Sequence, residues 1–214
     1  MVRLPVYRRI LSELLAADEH PNVHSERLAQ LAQVNAAKVR KDLSLLGSFG
    51  TRGTGYDVAF LLGQIDRALG AQDDWPVVVV GIGNLGTALV NSEGFSTRGF
   101  RILALFDADP AVVGTEVGGM LVRHIDTLAD VSGLGRSTIG VVATPGAVAQ
   151  SVTDRLIEVG VSAILNFAPQ VLSVPPHVLI RHVDLGTELQ VLSFFQLRRR
   201  DDGSNVTASA SERP

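Results

Sequence analysis

In the first seventy positions apolar residues recur at three- and four-residue spacing, the mark of amphipathic helices. Leu4, Ile10, Leu11, Leu14 and Leu15 define a first helix that ends near Ala17, before the turn-forming stretch Asp18 to Asn22. Leu28, Leu31 and Ala32 define a short second helix, with the Ser25 hydroxyl as its expected N-cap. Val34 and Asn35 make a turn, and Asn35 caps a third helix to about Leu46, with Leu43, Leu45 and Leu46 on its buried side. Gly47 and Gly50 terminate it, and Ser48 to Tyr56 reads as a small hairpin. Asp57 then caps a fourth helix whose apolar face holds Val58, Phe60, Leu61, Leu62, Ile65 and Leu69.

The period changes after Asp73-Asp74-Trp75-Pro76, which places a domain boundary at about 72–76. Strand-like runs at 77–81, 101–106, 138–143 and 162–166, with a weaker one at 178–183, alternate with helical runs. The helices read at about 84–92, 146–159 and 187–199, with a short one near 126–131. Such alternation predicts an α/β domain, a parallel sheet with helices on its faces. Leu189, Leu192, Phe194, Phe195 and Leu197 make the last helix too apolar to be left in water, and Arg198 to Arg200 complement its expected C-terminus. Asp201 to Pro214 are small and polar, and are expected to form a disordered tail.

Composition narrows the function. The 214 residues are 46% hydrophobic and 19% charged, which is globular. No cysteine is present, so disulfides, thiolate metal sites and cysteine nucleophiles are excluded, and a reducing, cytoplasmic setting is expected. No run approaches the ~20 apolar residues needed to span a bilayer, and no metal centre is expected. A net charge of −3 argues against a uniformly basic, nucleic-acid-coating protein, but the average hides a patch. Lys38, Arg40, Lys41 and Arg52 stand against Asp42 alone within residues 38–52.

Val77 to Val80 run directly into Gly81-Ile82-Gly83-Asn84-Leu85-Gly86, a G-x-G-x-x-G loop between strand and helix. Gly81 permits the turn, Gly83 lets a pyrophosphate approach the backbone, and Gly86 lets helix and strand pack closely. Amides at the helix start face the phosphates. The second strand ends in Asp107, 26 residues after Gly81, where a carboxylate accepts bonds from an adenine ribose. It would repel a 2′-phosphate, and no arginine stands beside it in sequence, so NAD(H) is favoured over NADP(H). Thr144, Pro145 and Asn166 follow later strands, where they either reach a ribose or nicotinamide or simply form turns. His124, His177 and His182 occupy no clear strand-end apex, this half has no lysine, and too little chain remains for a substrate domain, so catalysis is not expected.

Short second helix, turn and basic third helix resemble a helix-turn-helix, whose third helix fits the major groove while a basic hairpin touches the backbone or minor groove. Lys38, Arg40, Lys41, Ser48, Arg52, Gly53 and Tyr56 are the candidate DNA contacts.

Ala-Ala-Lys-Val-Arg-Lys-Asp-Leu (36–43) and Gly-Ser-Phe-Gly-Thr-Arg-Gly-Thr-Gly-Tyr (47–56) resemble the DNA-binding half of the Rex family of redox-sensing transcriptional repressors. Gly-Ile-Gly-Asn-Leu-Gly (81–86), Phe-Asp-Ala-Asp-Pro (106–110), Leu-Asn-Phe-Ala-Pro (165–169) and Val-Asp-Leu…Leu-Ser-Phe-Phe (183–195) continue the resemblance over about 5–197. It implies a homodimer with an N-terminal winged helix-turn-helix domain (1–75), a Rossmann-like NAD(H) domain (76–186) and an exchanged C-terminal helix (187–200). It further implies binding of double-stranded operator DNA when NAD⁺ predominates and release when NADH binds. Relatives often carry an aromatic residue before the Gly94-Phe95 pair, where this chain has Ser92-Glu93. Asp184 and Arg9 are candidates for a state-dependent ion pair. An NAD-dependent dehydrogenase and a coenzyme-A-binding regulator are the alternatives.

Overall fold

The computed structural model describes residues 2–17, 21–47, 54–92 and 94–208, the side chains of 96 and 199–208 excepted. The chain divides into two compact units, residues 1–74 with 96–99, and 75–95 with 100–214.

The first unit is helical, with α1 (Leu4–Ala16), β1 (Asn22–Val23), α2 (Ser25–Leu31), α3 (Ala36–Ser44), β2 (Tyr56–Asp57) and α4 (Val58–Leu69). Its core joins Leu4, Tyr7, Ile10 and Leu11 of α1 to Leu28, Val39, Leu43, Val58, Leu61 and Ile65. Two expected caps form: Asn35 accepts from the Lys38 amide at 2.8 Å and Asp57 from the Phe60 amide at 2.7 Å. Gly70, at φ 62°, ends α4 in the left-handed region that glycine tolerates.

Three local expectations need correction. His24 is the N-cap of α2 and Ser25 its first residue, and the Ser25 hydroxyl donates to Glu26 and accepts from Arg40 instead of capping. Leu45 lies past the end of α3, where the periodicity no longer applies, and is 59% exposed. Phe60 likewise leaves the core face of α4. The β2 strand pairs antiparallel with β1, Asn22 opposite Asp57 and Val23 opposite Tyr56, where the sequence suggested only a turn near Asn22. The expected hairpin falls mainly on 48–53, outside the described residues.

The second unit is built on a seven-stranded sheet ordered β5-β6-β4-β3-β7-β8-β9. Its elements are β3 (Trp75–Val80), α5 (Asn84–Val90), β4 (Phe100–Asp107), β5 (Glu116–Val117), β6 (Met120–His124), β7 (Ile139–Val142), α6 (Gly146–Glu158), β8 (Ala163–Asn166), β9 (Leu179–His182) and α7 (Leu185–Ala208). All pairings are parallel except the β5–β6 hairpin, which lies beyond the sequence-predicted strands. With β5 set aside, the strands counted in chain order run 3-2-1-4-5-6, the dinucleotide-binding order whose direction reverses between β3 and β7.

The four valines of β3 are buried on both faces, as a central parallel strand requires. Val78 and Val80 face α6 through Ala149, Val152 and Leu156, whereas Val77 and Val79 face Ile82 and Val90. The alternation thus divides the sheet between two cores. The final helix continues to Ala208 beyond the expected Arg200, because no proline stops it, so Arg198 to Arg200 are not at its C-terminus. Residues 209–214 of the expected tail lie outside the described residues.

Candidate functional site

Each glycine of the 81–86 loop sits in a different environment. Gly81 has φ 94°, and a Cβ there would lie 2.7 Å from the Ala143 carbonyl group. Its amide donates to the Phe106 carbonyl at 2.8 Å, tying the loop to β4. A Cβ on Gly86 would collide with the Gly81 carbonyl oxygen. Gly83 has an ordinary backbone, φ −79° and ψ −160°, and a Cβ there meets nothing within 4 Å. The fold therefore requires glycine at 81 and 86 but not at 83. A glycine facing open space is what close approach of a pyrophosphate demands.

Asp107 ends β4 beside this loop. One carboxylate oxygen accepts from the Ile82 amide at 2.6 Å, the other from the Ala108 and Asp109 amides at 2.7 and 2.9 Å. The carboxylate is thereby fixed in direction, and an sp² oxygen retains acceptor capacity beyond a single bond. Gly81, Gly83 and Asp107 line one cavity of about 570 Å³ at the carboxyl ends of β3, β4, β6 and β7. Thr144 and Pro145 line it too, and the Thr144 hydroxyl is buried with no hydrogen-bond partner among the described residues. Ile82 and Gly86 are buried within the loop, while Asn84 and Leu85 are exposed. The donor set, open glycine and orphaned hydroxyl fit a dinucleotide's pyrophosphate and ribose.

Asn166 is turned the other way. It is fully buried, accepts from the Ala168 amide at 2.9 Å and donates to the Ala168 and Gln170 carbonyls, so of its two sequence readings the geometry is that of a turn-former. Asp184 caps α7, accepting from the Gly186 and Thr187 amides and the Thr187 hydroxyl. Those bonds hold its carboxyl below the usual range. Arg9 lies 3.9 Å from Glu13, one turn along its own helix.

Sequence reading missed Asp126 and Arg155 and set His124 aside as occupying no strand-end apex, whereas His124 ends β6 and His182 ends β9; His124, Asp126 and Arg155 share the cavity with Asp107. Arg155 donates to Asp126 at 2.6 Å. Arg155, far from Asp107 in sequence, thus lines the same cavity. Only the position of Asp126, just after a strand end, offered a signal.

On α3, Lys38 and Lys41 are exposed together. Arg40 is also exposed but donates to the Ser25 hydroxyl at 3.0 Å and to Glu26 at 3.1 Å. Tyr56 is half-buried against the core, and Ser48, Arg52 and Gly53 lie outside the described residues. Asp42 is only 5% exposed and receives two bonds from Arg3, at 2.6 and 2.8 Å, and one from the Tyr7 hydroxyl at 2.8 Å. Chiefly the Arg3 bond holds the Asp42 carboxyl below its ordinary value. The acid of the basic helix is thereby neutralised from inside, leaving the cations outside.

Comparison with known proteins bears on both units. Residues 1–44 match a model of a DNA-binding protein N-terminus, and residues 72–170 match the CoA binding domain. The chain is 54% identical to the redox-sensing transcriptional repressor Rex of Streptomyces griseus over 95% of its length and 80% of that protein's. It is 52% identical to the Streptomyces coelicolor repressor of the same name, over 98% and 81%. Among solved structures, a Rex-family repressor, RSP, in complex with β-NAD⁺ and operator DNA aligns at TM-score 0.83 and 31% identity, covering 99% of this chain and 95% of that one. RSP in complex with β-NADH aligns at 0.85 and 31%, covering 95% of each. A dinucleotide-type sheet with its glycine loop and acid, a helical unit with a basic third helix, and relatives of this identity over nearly the whole chain have one common reading: the chain belongs to the Rex family of redox-sensing transcriptional repressors.

Proposed function

We propose that this chain is a repressor that reads the NADH/NAD⁺ ratio, holding operator DNA when NAD⁺ predominates and releasing it when NADH binds. The observation that carries the nucleotide half is the switch-point cavity on which open Gly83 and fixed Asp107 converge. The Gly81 and Ile82 amides are taken by Phe106 and Asp107, so of the 81–86 loop the amides at the helix start take the pyrophosphate, Asp107 the adenine ribose, and Thr144 and Pro145 the far wall. Asn166 acts by shaping the loop after β8. Oxidised and reduced nicotinamide differ by one positive charge, so the released or retained state follows from which ring is bound. Arg9 and Asp184 are proposed to pair in one state only, which requires Asp184 to loosen its cap on α7.

Residues 1–75 are assigned to DNA, 76–186 to the nucleotide and 187–200 to dimerisation. Leu189, Leu192, Phe194, Phe195 and Leu197 are all exposed in the single chain, which supports a second copy of the chain as their cover. Lys38, Arg40 and Lys41 dock on DNA, with Ser48, Arg52, Gly53 and Tyr56 steadying the contact. The relatives are named as repressors, and no catalytic role is assigned. A cytoplasmic location belongs to the same proposal, since operator DNA is the partner. Among the described residues, no helix is long and apolar enough to cross a membrane and no acidic or histidine cluster suits a metal.

The direct test is operator binding titrated with NADH at fixed NAD⁺, with coenzyme A as the comparison ligand because of the domain match at 72–170. Loss of DNA binding with NADH and not with coenzyme A is expected. Unchanged binding in NADH would end the redox-sensor reading, and release by coenzyme A alone would favour a coenzyme-A regulator. A second measurement addresses the DNA face. Replacing Lys38 and Lys41 together by alanine is expected to lower the slope of log affinity against log salt by about 2, roughly one per phosphate contact. An unchanged slope would remove them from the interface.

A further inference from the structure

The nucleotide cavity has apolar sides and a polar rim. Val112 and Ile125 on one part of the wall, and Val148 and Val152 from α6 on another, form a slot suited to the faces of a flat ring. Hydrogen bonding to such a ring is left to its edge, where the rim carries Asp126 and Arg155. Arg155 donates to one Asp126 oxygen at 2.6 Å. The second oxygen lies 3.3 Å from His124 Nδ1. The same ring nitrogen lies 3.2 Å from the Asp126 amide. Asp126 is 62% and Arg155 46% exposed at the side chain, so both have bonding capacity to spare.

We propose that Asp126 and Arg155 together read the base of the bound dinucleotide, Asp126 accepting from the exocyclic amine of adenine and Arg155 donating to the neighbouring ring nitrogen N7. The proposal rests on the NAD(H) reading of this site and deepens it. Adenine presents a donor and an acceptor side by side, and a paired carboxylate and guanidinium present the complementary acceptor and donor. A 6-oxo purine puts an oxygen where the amine stood, against the carboxylate. It cannot escape by turning over, because the ribose at Asp107 sets which edge enters the slot.

The test compares NADH with reduced nicotinamide hypoxanthine dinucleotide, in which a 6-oxo group replaces the amine, N1 gains a proton and N7 stays an acceptor, by direct titration of the full chain. Wild type is expected to prefer NADH by about tenfold or more, the discrimination typical of a two-bond base contact. Asp126→Ala, a change at an exposed position, brings the two affinities to within about twofold, while Asp126→Glu restores part of the preference. Arg155→Leu lowers NADH affinity several-fold. Equal wild-type affinities, or a preference that survives Asp126→Ala, overturns the proposal, and unaltered NADH affinity in Arg155→Leu removes Arg155 from it. Binding of neither dinucleotide by wild type overturns the NAD(H) reading itself, and this proposal with it.

Discussion

Gly83→Val is expected to leave the protein folded and weaken its response to NADH, while Gly86→Val destabilises the second unit. The two glycines are three residues apart, yet the physics differs. At Gly83 the backbone lies in a region open to L-residues and a new Cβ meets nothing within 4 Å, so the melting temperature should move little. The added side chain projects into the proposed path of the pyrophosphate, and NADH affinity is expected to fall at least about tenfold. At Gly86 a Cβ collides with the backbone oxygen of Gly81, which is itself held between Phe106 and Ala143. The overlap cannot be relieved by a rotamer change, and overpacking of this kind costs about 1–3 kcal/mol or more. Thermal melts and NADH titrations on the two variants separate the effects. Retained NADH binding in a folded Gly83→Val protein would move the pyrophosphate elsewhere.

Asp42→Ala is expected to destabilise the DNA-binding unit by about 2–3 kcal/mol, since it removes three hydrogen bonds and leaves the buried Tyr7 hydroxyl without its acceptor. The loss should extend to operator affinity, because Asp42 ties the inner face of α3 to α1 and so sets how Lys38 and Lys41 are presented. Tyr7→Phe, which removes one bond and keeps the ring, is expected to cost about 1 kcal/mol. The pH dependence has a definite sign. The Asp42 carboxyl is held below its unfolded value, so its contribution is complete above that value, about 3.9, and fades as pH falls through the lower folded value. The stability difference between wild type and Asp42→Asn should therefore be constant near neutrality and shrink below about pH 4. A difference that widened with acid would contradict the assignment.

What the sequence made legible followed from unbroken periodicity. Four valines in a row could only be a central strand, and Asn35 and Asp57 stood where caps belong. The β5–β6 hairpin was hidden because Gly114, Gly118 and Gly119 interrupt the pattern on either side of strands of two and five residues. Ser25 was misread because its backbone neighbours predict a cap, whereas its buried hydroxyl answers to Arg40, fifteen residues away. The same limit governs the cavity. Gly81, Gly83 and Asp107 announce themselves through a local motif, but Asp126 and Arg155 are 29 residues apart and meet only where α6 reaches the short helical turn Ile125–Asp130 after β6. Asn166 was ambiguous for the opposite reason, since its inward amide is a property of the loop it closes.

The small β1–β2 ladder has a consequence for how this chain can vary. Asn22 pairs with Asp57 and Val23 with Tyr56, and the Val58 amide donates to the Pro21 carbonyl at 2.8 Å. The ends of the whole excursion through α2 and α3 are thereby pinned together at its base. The ladder closes a single loop over residues 24–55, whose closure entropy grows only logarithmically with its length. Neither α1 nor α4 has to shift to accommodate a change in that length.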